Sequence, residues 1–170
     1  TCNLMNLNPM HYFLKRYHSS DLKPNELKRM LNLWFPFLVN RIKIMSITND
    51  FHQMDILLKH SFWNRNPNKS VWGGSITSAL DPFFPIMIKQ IMLIKGIRTD
   101  FFSKAVHVEF IKQVHTHVFF QFKINETEII KAENSLKNNG KYEDWHTVEG
   151  IDSSGNICVN GKVQVYLRKR

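Results

Sequence analysis

Cysteine is nearly missing from this chain, with only Cys2 and Cys158 in 170 residues. Two thiols cannot build a disulfide framework or a four-ligand zinc site, so both are read as reduced. Long apolar runs are missing too. The longest, Trp34 to Val39 and Phe83 to Ile88, are broken by proline and fall far short of the roughly 18 residues that a spanning helix needs. Residues 1–8 carry neither the basic start nor the apolar core of a secretory signal, which makes the cytoplasm the expected location. The charge balance lacks acid: 23 Lys and Arg against 14 Asp and Glu give a net charge of +9, which favours anionic partners. The cations are scattered, with Arg168-Lys169-Arg170 the only run of three, and no basic stripe interleaved with aromatics points to nucleic acid. Hydrophobic residues at 43% and charged residues at 22% are ordinary globular usage and exclude a disordered or fibrous chain.

What is present is a sequence of changes in hydrophobic period. Leu27, Met30, Leu31, Trp34 and Leu38 stand at helical spacing after Pro24 and predict an N-terminal helix running to about Pro36, preceded by an arm over 1–23. From Arg41 the period becomes two, with Ile42 and Ile44, then Met54, Ile56 and Leu58, marking two strands. A polar stretch, Asn64 to Lys69, leads into Gly73-Gly74 and about twenty apolar residues that predict a buried helix ending near Gly96. Alternation returns at Val106, Val108 and Phe110, and again at Val118, Phe120, Phe122 and Ile124. Asn125 and Glu128 form an Asn version of a capping box, Ile124 and Ile129 a hydrophobic staple, and Gly140 closes the helix they open. A strand near Tyr142 to Gly150, a turn at Asp152-Ser153-Ser154-Gly155 and a strand carrying Ile157, Val159, Val163, Val165 and Leu167 complete the chain. Six strands and one dominant buried helix predict an α+β fold, an antiparallel sheet wrapped around that helix.

The element order, with Asn64-Arg65-Asn66, Gly73-Gly74-Ser75 and Asp81-Pro82-Phe83, resembles the hotdog-fold acyl-CoA thioesterases. Within that superfamily it resembles a branch described as a domain of unknown function. The resemblance covers roughly 24–170 and implies a single hotdog thioesterase-like domain. It also implies a homodimer or dimer of dimers, and a CoA or acyl-carrier thioester as substrate. Phenylacetate-pathway-type thioesterases carry His-Gly-Gly and an acidic residue eight positions after the first Gly. Gly73 and Asp81 reproduce that spacing, whereas Trp72 stands in place of the His and takes any imidazole role away.

Each candidate has a structural reading beside its chemical one. Gly73 and Gly74 amides can polarise a thioester carbonyl, or the glycines can merely allow close packing at the helix start. Asp81, on a continuous helix, stands two turns after Gly74 and can act as base or nucleophile; Asp81-Pro82 also reads as an N-cap and first residue, with the helix broken at Leu80. Asn66 can place a water or a thioester oxygen, or simply close a turn. Trp72, Ser75 and Phe84 are candidate substrate contacts, although hydroxyls such as Ser75 and Thr77 often satisfy backbone in a first turn and apolar clusters are most often core. Arg65, Lys69 and Arg98 are candidates for the CoA phosphates. His115 and His117, the only close histidine pair, lack a partner at ligand spacing, so neither a metal nor another cofactor is expected. Thioester hydrolysis leads; a non-catalytic acyl-group or lipid-binding hotdog protein is the alternative, and a hydratase, which needs a His at the helix start, is disfavoured by Trp72.

Overall fold

A computed structural model of the chain describes residues 16–17 and 22–170, so most of the expected arm, Cys2 included, lies outside the described residues. Helix α1 (Pro24–Leu33) begins at its proline and buries Leu27 and Leu31, one turn apart. The expected helix to Pro36 is in fact two. Trp34 is extended, and α2 (Phe35–Asn40) starts afresh with a proline in its first turn. Pro36 has no N–H to give the carbonyl of Asn32, so a helix cannot run through it, whereas a first turn needs no such bond.

Strands β1 (Ile42–Ile47) and β2 (Gln53–Leu58) form a hairpin whose inward residues are the predicted Ile42, Ile44, Met54, Ile56 and Leu58. With β3 (Thr99–Phe110), β4 (Val118–Lys123), β5 (Lys141–Asp152) and β6 (Ile157–Lys169) they make a six-stranded sheet in the order β1-β2-β4-β5-β6-β3. Every described pairing is antiparallel, and β1 and β3 are the two edges.

The long apolar segment lies inside this sheet, but not as one helix. Helix α3 (Gly73–Ser78) stops, a loop carries Ala79 to Pro82, and α4 (Phe83–Ile94) follows. Pro82 lacks the N–H that would bond the carbonyl of Ser78, so the ladder breaks there. Every residue of α4 from Phe83 to Leu93 is buried. Phe83 and Phe84 each meet the Phe122 ring of β4 at 5.0 Å. Helix α5 (Glu126–Asn139) keeps the predicted capping box of Asn125 and Glu128, and Gly140 closes it at φ 69°. Cys158 is a buried free thiol that donates to the Gly150 carbonyl at 3.2 Å. Among the described residues no helix is long and apolar enough to cross a membrane.

Candidate functional site

The polar stretch between β2 and α3 is organised by Asn64, which is 3% exposed. Its side-chain oxygen accepts from the Ser61 N–H and hydroxyl at 2.9 and 3.1 Å, and its amide donates to the carbonyls of Lys59 and Asn40 at 2.8 and 3.2 Å. Its own carbonyl accepts the Trp72 N–H at 2.7 Å. One buried amide thus ties the end of β2, the end of α2 and the start of α3 together, each bond replacing a water that burial removes. Asn66 sits in the loop that follows. It donates to the Ser70 hydroxyl at 2.7 Å and accepts the Ser70 N–H at 3.1 Å. Those bonds are a turn closure, and the turn is tight enough to hold Lys69 at φ 62°.

At the start of α3, the amides of Ser75 and Ile76 bond the Trp72 carbonyl at 3.0 and 3.3 Å, so the N–H groups of Gly73 and Gly74 have no acceptor within the helix. Close packing is also visible. A Cβ at Gly73 would meet the Phe110 ring at 3.3 Å, and one at Gly74 would collide with the Trp72 indole. Trp72 is itself 56% exposed, which makes it an outer wall over Gly74. Asn66, Gly73, Ile76, Phe110 and Lys112 line one cleft of about 390 Å³.

Asp81 lies elsewhere. Its neighbour Leu80 is fully buried against Gly161 of β6, where a Cβ would come within 2.7 Å of the leucine methyl. That fit fixes the α3–α4 loop on the sheet. Asp81 is half-buried, and its Oδ1 accepts a hydrogen bond from the Ser103 hydroxyl of β3. The residue that caps α4 is Pro82, with no side-chain cap bond, so Asp81 is not an N-cap. Nor does it ride two turns along one helix from Gly74, since α3 ends at Ser78. Asp81 touches β3 at Ser103 and Gly73 touches it at Phe110. Seven residues of strand separate those points, about 23 Å at roughly 3.3 Å per residue.

Two expected substrate contacts are withdrawn by their burial. Ser75 is fully buried and donates to Asn40 Oδ1 at 2.9 Å. Phe84 is 1% exposed and packs between Phe122 and the His146 ring, both at 5.0 Å, so it is core and no substrate contact. Thr77 donates to the Gly73 carbonyl at 3.0 Å. Arg65 and Lys69 are exposed on the loop, and the Arg65 guanidinium lies 5.5 Å over the Phe62 ring. Arg98 is exposed beside β3. His115 and His117 are exposed, and no cluster of three ligating side chains occurs among the described residues.

Ser103 and Asn64 escaped the sequence reading because both act through tertiary partners. A further buried trio escaped it too. His146 Nδ1 lies 3.0 Å from Glu128 Oε1 and Nε2 lies 3.2 Å from the Tyr142 hydroxyl. Burial pushes the imidazole below its ordinary pKa despite the nearby carboxylates of Glu128 and Asp144, and it pushes the Tyr142 phenol up. A neutral ring that donates to Glu128 from Nδ1 and accepts the tyrosine proton at Nε2 satisfies all three groups.

The sequence model of a family described as Domain of unknown function (DUF4442) matches residues 25–167. No curated protein matches the chain. Among solved structures, a Pseudomonas aeruginosa protein of unknown function described as a probable thioesterase superposes with TM-score 0.71 at 14% identity, covering 86% of this chain and 97% of that one. A Chlorobaculum tepidum protein of unknown function reaches 0.74 at 14% identity, with 89% and 100% covered. The Escherichia coli PaaI protein of the phenylacetic acid degradation operon reaches 0.58 at 10% identity, with 94% of each chain covered. Likeness at such identities establishes the fold, and the fold is the hotdog.

Proposed function

We propose, from the premise that this chain belongs to the DUF4442 family and has the hotdog fold, that it hydrolyses an acyl thioester of CoA or an acyl-carrier protein with Asp81 as the base. The observation that carries the reading is the state of Asp81. Its carboxylate is half-buried, caps no helix, makes no ion pair among the described residues, and is aimed by a single hydroxyl. A carboxylate without a structural duty is available for proton transfer.

In one copy the base and the Gly73 cleft meet β3 at separate points, and a second copy resolves this. Strand β3 is an edge of twelve residues, and an edge of that length invites pairing. Antiparallel self-pairing centred between Val106 and His107 sets Ser103 opposite the second copy's Phe110. Asp81 of one copy then faces Gly73 and Asn66 of the other. There Asp81 takes a proton from water, and the hydroxide adds to the thioester carbon. The Gly73 and Gly74 N–H groups donate hydrogen bonds to the developing oxyanion. Collapse breaks the C–S bond, and the leaving thiolate takes the proton. Arg65, Lys69 and Arg98, all exposed, are the cations we assign to phosphates of the carrier.

The alternative, acyl binding without chemistry, is favoured by one observation: the Trp72 indole lies over Gly74, where the resemblance has an imidazole. A panel of acyl-CoAs tests both. Asp81→Asn should lower turnover by roughly 100-fold or more, while the melting temperature stays put because no cap bond is lost. Light scattering on the same preparation should give at least twice the 20.1 kDa of one chain. Binding of acyl-CoA with no hydrolysis by the wild type would select the alternative.

A further inference from the structure

At the β1 end of the sheet, remote in strand order from β3, a set of large apolar side chains stands in solvent. Phe35, Leu38 and Val39 of α2 are 72%, 47% and 52% exposed, and Phe62 and Trp63 of the 3₁₀ turn after β2 are each 78% exposed. They are one surface: Phe35, Leu38, Val39 and Trp63 share a groove of about 390 Å³ with Arg41. Phe62 stands edge-on to Trp63 at 6.2 Å. Contiguous apolar exposure of this kind marks an interaction site.

The charges around it say what it meets. No acidic residue occurs from Leu27 to Asn49 or from Ile56 to Leu80, while seven Lys and Arg fall in those two stretches. Arg41, Lys43 and Lys59 line a second cleft that shares Leu38 with the groove, and Arg65 lies over Phe62. Protruding Trp and Phe side chains ringed by unopposed cations fit a boundary where hydrocarbon lies beneath anionic phosphates.

We infer that the α2 and Phe62-Trp63 surface docks on the anionic face of a phospholipid bilayer, the apolar side chains entering the acyl boundary and Arg41, Lys43 and Lys59 meeting lipid phosphates. The inference stands whether or not the Asp81 site is catalytic.

The test is flotation of the full chain with vesicles of phosphatidylcholine alone or mixed with phosphatidylglycerol. Binding should require phosphatidylglycerol and weaken as salt rises. Phe62→Ser with Trp63→Ser should lower partitioning at least tenfold, and each of Lys43→Gln and Lys59→Gln about fivefold, the equivalent of about 1 kcal/mol per cation near the surface. Ile130→Ser, on exposed α5, should change nothing. Tryptophan emission should shift to the blue on mixed vesicles, and Trp63→Phe should abolish the shift. Absence of flotation, equal binding to neutral vesicles, or a salt-insensitive interaction would overturn the inference. So would a Phe62→Ser, Trp63→Ser protein whose only change in light scattering is a smaller particle, since the occupant would then be a second copy.

Discussion

Asp81 and Ser103 are 22 residues apart and form one unit. A hydroxyl has one proton to give, and giving it to a carboxylate aims one oxygen while leaving the other for a reacting water. Ser103 is therefore a positioning residue, and Ser103→Ala separates aim from charge. The alanine fits the strand and keeps the carboxylate, so kcat should drop about tenfold with KM unchanged, since displacement of a base by about 1 Å is costly. Stability should move by no more than the roughly 1 kcal/mol of one part-buried hydrogen bond. Added to Asp81→Asn, the change should do nothing more, because the two then remove a single function. Additive losses in that cycle would show that Ser103 acts by another route.

The α3–α4 break is what places that unit, and Leu80 is what holds the break. A methyl at position 161 would lie 2.7 and 2.9 Å from the two Leu80 methyls and 3.3 Å from Val148. Leu80 and Val148 are both buried, so neither can step aside. Gly161→Ala should cost about 1–3 kcal/mol by overpacking, read as a lower denaturant midpoint at constant m. It should also lower turnover, although position 161 touches no candidate residue. Unchanged activity would free the loop from Leu80. This contact shows where the sequence stopped being legible. The periods of two and 3.6 gave the strands, and Asn125, Glu128 and Gly140 gave α5 with both its ends, because those signals are local. The break between α3 and α4 was legible in Asp81-Pro82, but what holds it on the sheet is a glycine 81 positions beyond Leu80, a pairing that no local pattern records. Asn66 shares a cleft with Gly73 rather than with Asp81, a grouping made by the loop fold that sequence spacing does not record. Phe84 was misassigned because a helix buried on every side has no face to distinguish pocket from core.

At the scale of the whole molecule, His146 ties stability to pH. It is held among Phe84 of α4, Glu128 of α5 and Tyr142 of its own strand, with Asp144 and Lys131 as the next charges. Burial is the strongest influence and lowers its pKa; Glu128 and Asp144 oppose it without reversing it. The unfolded chain presents an ordinary histidine near 6.5. Between that value and the lower native one, the unfolded state binds more protons, so stability rises with pH and is lost as pH falls below about 6.5. The paired carboxylates act elsewhere. Asp152, held down to about 2 by Lys112, loses its contribution only as pH falls below the ordinary carboxylate range. Urea midpoints measured from pH 7 to pH 5 should therefore fall in the wild type and fall less in His146→Gln, whose amide spans the same two partners and never titrates. Parallel slopes in the two proteins would remove His146 as their source. Protonating the ring puts a charge against Phe84 of the buried helix α4, whose neighbour Phe83 joins α4 to α2 at 5.3 Å from Phe37. Acid weakening at His146 should thus spread through α4, and hydrogen exchange at pH 5 should rise first in α4 and in α5, which carries Glu128.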